Sequence, residues 1–304
     1  MHRYEEPYTI LDQARFDSLN LVTEFGLDRD PVDMLILRDT ENGGLEAVLS
    51  YKHSYDSYER RVVFLGSTIQ RADGKGPVEM GPNLSENVKN WLELQFGDHM
   101  PLRQTKFYMK QIPKEILSVN QIKNSYEFFI DGCEDIAALK EHFENFGRRQ
   151  KRVSMWHCRN MWPSFLHLPN FHNIKKLSLY GCDQIPEEFL LNLNGSSFES
   201  FAEFSMNGIN QMLRGILRKP RKNINYWFCM AETFDAKKMF RNICAKSVDT
   251  MNHEEYRFKI FLNLEDSEDE EFNESTVFSE ESVYFATVII DETVRFRVLT
   301  EDIE

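Results

Sequence analysis

The stretch SLYGCDQIPEEF, residues 178–189, joins a strand-like pattern to a helix-like pattern. Apolar residues first alternate with polar ones at the period of a β-strand, and after Cys182 they recur at the spacing of an α-helix. The stretch FIDGCEDIAALK, residues 129–140, repeats this order of strand, Gly-Cys turn and helix. The two stretches indicate a repeated structural unit, unless the similarity is a coincidence.

The spacing of equivalent positions along the chain favours a repeat. Small or apolar residues recur every 24 or 25 positions, at Met109, Cys133, Cys158, Cys182, Met206 and Ala231. This interval lies within the period of leucine-rich repeats, which place a strand, a small residue at a turn and a helix in each unit. Two repeat units are irregular, the one with Phe107 and the one with Phe201 and Phe204. Their apolar residues are shifted by about one position relative to those of the other units.

The predicted fold class is therefore α/β, an irregular leucine-rich-repeat-like solenoid with parallel strands and a C-terminal antiparallel β cap. The alternative is an α/β domain without a repeat, because such domains also alternate strands and helices at about this interval. The constant spacing favours the solenoid.

Three segments are expected along the chain. Residues 1–60 are an N-terminal segment, either a diverged F-box or a β-hairpin cap; 61–246 form the repeat domain; 247–304 form a β-rich cap. The cap contains the acidic run EDSEDEEFNE at 265–274, which we interpret as a solvated loop. The N-terminal segment also carries a weak helical pattern at residues 9–25.

Two local patterns outside the repeat are clearer. PVDMLILRD and LEAVLSYKH alternate in polarity around the turn TENGG, and Asn-Gly between such runs predicts a β-hairpin. ENVKNWLELQF, residues 86–96, predicts a helix with Ser85 as its N-cap. RVVFLG, residues 61–66, would then be the strand that precedes this helix in an aberrant repeat unit.

Composition excludes several classes of partner. The net charge of −13 and the pI near 5.2 disfavour nucleic acid and anionic membranes, which would repel the chain. Five cysteines, an odd number in apolar surroundings, indicate buried thiols in a reducing compartment. With no signal peptide and no apolar run of about 18 residues or more, the expected location is the cytoplasm or the nucleus.

We find no pattern that supports catalysis or metal binding. His157 and Cys158 are adjacent, but neighbouring residues of a strand point to opposite faces and no Cys-x-x-Cys pair accompanies them. The sequence has no Gly-x-Ser-x-Gly motif for a nucleophile. We therefore predict no catalytic residues, no metal, no cofactor and no enzymatic activity; the alternative is an enzyme whose site is built from loops.

Aromatic residues at the outward-facing strand positions predict a surface for a protein partner. In a solenoid these positions lie on the concave face, where clustered aromatic side chains are unexpected unless they make contacts. The predicted partner-binding residues are Phe129, Asp131, Trp156, Tyr180 and Trp227. The competing interpretation is that terminal segments of the chain cover this face.

Over residues 85–299 the chain resembles the nematode F-box-associated family. The similar features are SENVKNWLELQF, the strands FFIDGC and LSLYGC, FSMNGINQMLRGIL, and the closing strands SVYFATVIIDETVRFRVL. The resemblance implies an N-terminal F-box that binds the adaptor of a cullin-RING ubiquitin ligase, followed by a leucine-rich-like domain that selects a protein substrate.

The N-terminal sequence departs from that family pattern. An F-box opens with a Leu-Pro pair, whereas Pro7 follows two glutamates here, so the F-box is not recognisable. Three alternatives stay open: a recognition domain alone, a strongly diverged F-box, or a decoy that binds without ubiquitination. The predicted function is a protein-interaction module resembling a ubiquitin-ligase substrate receptor, and the alternative is a scaffold or neutralising binding protein outside any ligase.

Overall fold

A computed structural model describes most of the chain between residues 32 and 300. The described ranges are 32–52, 57–70, 78–79, 81–96, 101–145, 152–219, 224–248, 255–261, 284–290 and 294–300. The predicted N-terminal helix, the F-box region before residue 32 and the acidic run at 265–274 lie outside them. The chain divides into two compact units, Met1–Asn160 and Met161–Glu304. The predicted division at residues 60 and 246 stays a prediction.

The first unit contains eight strands and four helices among its described residues. The strands are β1 Val32–Asp39, β2 Leu45–Lys52, β3 Ser57–Leu65, β4 Thr68–Gln70, β5 Val78–Glu79, β6 Gln104–Tyr108, β7 Glu127–Asp131 and β8 Arg152–Trp156. The helices are α1 Leu84–Phe96, α2 Lys114–Leu117, α3 Asn120–Lys123 and α4 Ala137–Glu144. Together they form a mixed sheet in the order β8-β7-β6-β1-β2-β3-β4-β5.

The core of the first unit forms because alternate residues of each strand point to the same face. Leu37 of β1 pairs in register with Phe107 of β6, which pairs with Ile130 of β7, and all three are fully buried. Helix α1 closes this side through Val88, Trp91, Leu92 and Phe96, and the Trp91 ring meets the Phe64 ring at 5.7 Å. Burial of these apolar side chains is the main stabilising contribution.

The second unit contains seven strands and four helices among its described residues. The strands are β9 Lys176–Tyr180, β10 Ser197–Phe204, β11 Asn225–Met230, β12 Cys244–Val248, β13 Glu255–Phe261, β14 Tyr284–Ile290 and β15 Val294–Thr300. The helices are α5 Pro169–His172, α6 Glu187–Asn192, α7 Met206–Arg218 and α8 Ala236–Met239. Its strand order is β9-β10-β11-β15-β14-β13-β12.

A row of buried side chains crosses the parallel and antiparallel strands of the second unit. Leu177, Phe198, Tyr226 and Val298 lie opposite one another on β9, β10, β11 and β15 and are at most 1% exposed. The Tyr226 hydroxyl donates a hydrogen bond of 2.6 Å to the carbonyl of Gly195. The single polar atom of this ring is therefore satisfied inside the core.

The predicted leucine-rich solenoid is wrong. A solenoid would place the strand at residues 61–66 beside β6, as the preceding coil. Instead β1 lies parallel to β6, and β2 and β3 follow it in antiparallel order. Each unit has an α/β architecture with helices between the parallel strands of its sheet, the alternative that the sequence left open.

The predicted C-terminal cap is also wrong as an architecture. Strands β12 to β15 are antiparallel, but β15 pairs with β11 along its whole edge, from Asn225 opposite Leu299 to Cys229 opposite Arg295. These strands continue the sheet of the second unit edge to edge. This arrangement depends on backbone hydrogen bonding to the open edge of a strand. The pattern of apolar residues in the sequence does not indicate which strand edges pair.

Two local predictions are confirmed, one with a change of residue. The hairpin of β1 and β2 forms, with Gly43 at φ +73° in its turn. Helix α1 also forms, but Asn83 caps it instead of Ser85: the Asn83 side-chain oxygen accepts a hydrogen bond from the Glu86 amide at 3.2 Å. Within the described part of the chain, no helix has the length and apolar character needed to cross a membrane.

Candidate partner-binding surfaces

The first unit carries a row of aromatic side chains on the face opposite its core. Tyr108, Phe129 and Trp156, which we call the first aromatic row, stand at outward positions of β6, β7 and β8. The ring centroids are 5.4 Å apart between Tyr108 and Phe129 and 5.5 Å apart between Phe129 and Trp156. Tyr108 and Trp156 are each 39% exposed, so the row presents apolar area to a partner.

Charged groups lie beside the first aromatic row. Asp131 lies in register between Tyr108 and Trp156, and its carboxylate is 2.9 Å from Nδ1 of His157. From β1, the Arg38 guanidinium lies over the Tyr108 ring, 5.9 Å from its centroid. The row therefore has both an acidic and a basic side chain beside its rings.

Two ion pairs meet at Glu46 beside the first aromatic row. The Nε of Arg38 lies 3.0 Å from one oxygen of Glu46, and the Nε of Arg61 lies 3.2 Å from the other. The Glu46 side chain is only 12% exposed, whereas the Arg61 side chain is 62% exposed. One carboxylate therefore pairs with guanidinium groups from both strands that flank β2.

The second unit carries a second aromatic row. Tyr180 on β9, Phe201 on β10 and Trp227 on β11 form it, with ring centroids 4.9 Å apart between Tyr180 and Phe201 and 5.3 Å apart between Phe201 and Trp227. Phe201 is 60% exposed, an unusual state for a phenylalanine in a strand. Exposed aromatic groups of this kind mark contact surfaces.

A bulge in β10 explains the exposure of Phe201. Glu199 pairs with Trp227 and Glu203 pairs with Cys229, so four residues of β10 span two residues of β11. The intervening backbone leaves the ladder, and Phe201 projects from it. Bulges commonly redirect side chains at the edges of binding sites.

A hydrogen bond orders the Tyr180 end of the second row. Partial burial, together with a hydrogen bond to the Glu199 carboxylate, raises the pKa of Tyr180. The hydroxyl therefore stays protonated at neutral pH and donates to Glu199. Because the Tyr180 hydroxyl is engaged by Glu199, the face of the Tyr180 ring is the part of this side chain that a partner can contact.

A cavity of about 300 Å³ lies beside Phe201 in the second unit. The turn after β9 and the β10 bulge line it, with Leu179, Gly181, Cys182, Asp183, Gln184, Ile185, Ser200, Phe201, Ala202 and Glu203. Two of the lining residues, Asp183 and Glu203, carry carboxylates, and none of the ten is basic. The cavity therefore offers an aromatic wall and negative charge.

The three cysteines at the turns after β7, β8 and β9 contact backbone groups. The Sγ atoms of Cys133, Cys158 and Cys182 donate to the carbonyls of Asp135, Trp156 and Tyr180, at 3.2, 3.4 and 3.6 Å. Burial raises the pKa of the Cys133 thiol to about 11, so this thiol is not a nucleophile at neutral pH. These cysteines have structural roles. Among the residues that the structure describes, no group of three His, Cys, Asp or Glu could hold a metal ion.

The structure distributes the five predicted binding residues over the two units. Phe129, Asp131 and Trp156 lie together in the first unit, and Tyr180 and Trp227 are joined through Phe201 in the second. Their binding role stays a prediction, and the alternative that terminal segments cover the face concerns residues outside the described ranges.

Sequence reasoning missed Tyr108 and Phe201. Thr105 and Phe107 are buried at alternate positions of β6, so Tyr108 points outward. In β10, Phe201 lies an odd number of residues from the buried Phe198 and Phe204, so it also points outward. The signal is present in the period of two, but the repeat register shifts both strands by one residue and hides it.

Comparisons with known proteins do not assign a family. No protein-family model matches the chain, and no curated protein matches it. An S-adenosylmethionine-dependent methyltransferase from Clostridium acetobutylicum ATCC 824 is a similar solved structure, at 13% identity over 58% of this chain and 66% of that chain. The TM-score of this match is 0.13, so the likeness supports no conclusion about fold or activity.

Proposed function

We propose that this chain is a protein-interaction module that binds a partner through its aromatic rows. The observation that carries the proposal is the exposure of three ring side chains, Tyr108, Trp156 and Phe201, on sheet faces whose opposite sides form the cores. Aromatic residues dominate the binding energy of protein interfaces because they bury large apolar areas at a low cost in side-chain entropy.

The polar groups around the aromatic rows support a specific contact and not a surface for non-specific apolar association. Three polar pairs lie beside the rings: Asp131 with His157, Arg38 with Glu46, and Tyr180 with Glu199. Preorganised polar groups at the rim select partners because a mismatched partner leaves them unpaired and desolvated.

Within this function, we propose a role as substrate receptor of a cullin-RING ubiquitin ligase, in the cytoplasm or the nucleus. The support is the resemblance to the F-box-associated family over residues 85–299, and the ordered aromatic rows would select the substrate. The second candidate is a scaffold or neutralising protein, which would use the same rows without recruiting a ligase.

Comparative affinity capture tests the proposal. The tagged full chain, Trp156→Ala and Phe201→Ala are compared with the matched variants Leu94→Ala and Leu191→Ala, which truncate exposed apolar residues on helices α1 and α6. Loss of an interface aromatic typically costs more than 1 kcal/mol, so we expect about a tenfold loss of specific partners from at least one row variant. The helix variants should capture as the unmodified chain does.

The same mass-spectrometric data separate the two candidates. Recovery of a cullin and its adaptor with the unmodified chain supports the receptor, and their repeated absence alongside a row-dependent partner supports the scaffold. Equal capture by all five proteins would contradict the interaction function itself, provided that each variant unfolds at the temperature of the unmodified chain.

A further inference from the structure

We propose that the cavity beside Phe201 binds the guanidinium group of an arginine side chain from a protein partner. The inference rests on the proposed function and names the chemistry of the partner. It concerns the second unit alone, whose cavity combines an exposed ring with two carboxylates.

The strand pattern brings these groups together. Glu199, Phe201 and Glu203 occupy successive outward positions of β10. The outward face of this strand therefore has an aromatic ring between two carboxylates. The turn after β9 adds Asp183 to the lining of the cavity. The bulge frees the backbone around Phe201 from β11 and thereby leaves the ring accessible.

Charge complementarity selects a cation as the occupant. Glu199 is engaged by the Tyr180 hydroxyl, whereas no described residue forms an ion pair with Asp183 or Glu203. A carboxylate facing a cavity prefers a cationic group, and an anionic ligand such as phosphate would be repelled. In the first aromatic row, the cation of Arg38 already lies over the Tyr108 ring.

Shape favours arginine over lysine. A guanidinium is planar, so it stacks on the Phe201 ring while its edge donates hydrogen bonds to a carboxylate. An ammonium would offer a point charge without the stacking surface. The cavity volume of about 300 Å³ accommodates a planar head group and the end of its methylene chain.

The test uses the full chain and a peptide probe with a matched neutral analogue. Acetyl-Gly-Ser-Arg-Ser-Gly-amide is compared with the same peptide carrying citrulline, which keeps the planar shape and loses the charge. Saturation-transfer NMR, which detects weak ligands, reports binding at the side-chain methylene protons. We expect the arginine peptide to bind about tenfold more tightly than the citrulline peptide, as a charged stacking contact requires.

Protein variants locate the binding. Phe201→Ala and Glu203→Gln should each weaken the arginine peptide about fivefold to tenfold, while Glu41→Gln, which removes one exposed charge from the first unit, should have no effect. Because Phe201 and Glu203 are exposed, these substitutions should leave the unfolding temperature unchanged, which separates loss of binding from loss of fold.

Equal binding of both peptides, or unchanged binding to Phe201→Ala, overturns the arginine site. If that happens while Phe201→Ala still loses its captured partner, the interaction function stands and the partner has another chemistry. If the arginine peptide binds as expected although no row variant loses a partner, the cavity is an arginine site and the wider interaction function fails.

Discussion

His157 shows how a single residue can combine backbone strain with a surface contact. It adopts φ +50° directly after β8, whereas the turns after β7 and β9 place Gly132 at φ +72° and Gly181 at φ +59° at the same point. A side chain in this left-handed region costs free energy that glycine avoids. Its Nδ1 lies 2.9 Å from the Asp131 carboxylate beside the first aromatic row, which gives a reason for histidine at this position.

We predict that His157→Gly is more stable than His157→Ala by about 1 kcal/mol. Both variants lose the contact with Asp131, so the difference isolates the cost of the left-handed backbone. Urea unfolding followed by circular dichroism measures it. Gly132→Ala is the matched control, because a Cβ at Gly132 meets no atom within 4 Å and should cost a similar amount through its backbone alone. Equal stability of the two His157 variants would show that the turn relaxes.

The alternation of buried and outward residues along a strand explains why the sequence reveals most residues of the aromatic rows but not all. Phe129, Trp156, Tyr180 and Trp227 stand beside clearly buried neighbours, so alternation places them outward. Phe201 also follows the alternation of its own strand, but the repeat register shifts that strand by one residue and hides the outward position. The bulge beside Phe201 depends on pairing between strands, which the local sequence does not encode.

At the scale of elements, helix α7 is tied to the segment after α8 by one buried side chain. The Nδ2 of Asn210 donates to the carbonyls of Met239 at 2.7 Å and Arg241 at 2.9 Å, and Asn210 is 7% exposed. The Met239 carbonyl ends the short helix α8, and the Arg241 carbonyl lies in the turn that follows, where helical partners are missing. The amide therefore replaces the intrahelical bonds that α8 cannot make.

We predict that Asn210→Ala lowers the free energy of unfolding by about 2 kcal/mol, because a buried carbonyl and a partly buried carbonyl lose their donor. Asn192→Ala is the control. Its amide donates an exposed hydrogen bond to the Glu188 carbonyl one turn away, so the loss should stay below about 0.5 kcal/mol. Chemical denaturation compares the two. A loss at Asn210 no larger than at Asn192 would contradict the structural role.

The elements also show where sequence reasoning stops. The β1–β2 hairpin and helix α1 follow from local turn chemistry and periodicity, and both are present. The pairing of β1 with β6 joins segments far apart in the chain, and no local pattern specifies it. A regular spacing of strands and helices therefore predicted the elements correctly and their arrangement incorrectly, since an α/β sheet and a solenoid share that spacing.

For the whole molecule, charge and surface point to the same kind of partner. The net charge of −13 repels anionic ligands and raises the encounter rate of basic ones. Each unit presents an aromatic row on the face that its core leaves free. Partners are therefore expected to meet the outward faces of the strands, and not the helices.

Site-specific photocrosslinking in cells tests that claim most directly. The photoreactive residue p-benzoylphenylalanine replaces Tyr108 or Phe201 in the rows, and Leu94 or Leu191 on the helices as matched exposed positions. We predict discrete crosslinked protein species from at least one row position and none from the helix positions. Crosslinks that arise from Leu94 or Leu191, with none from Tyr108 and Phe201, would contradict the account.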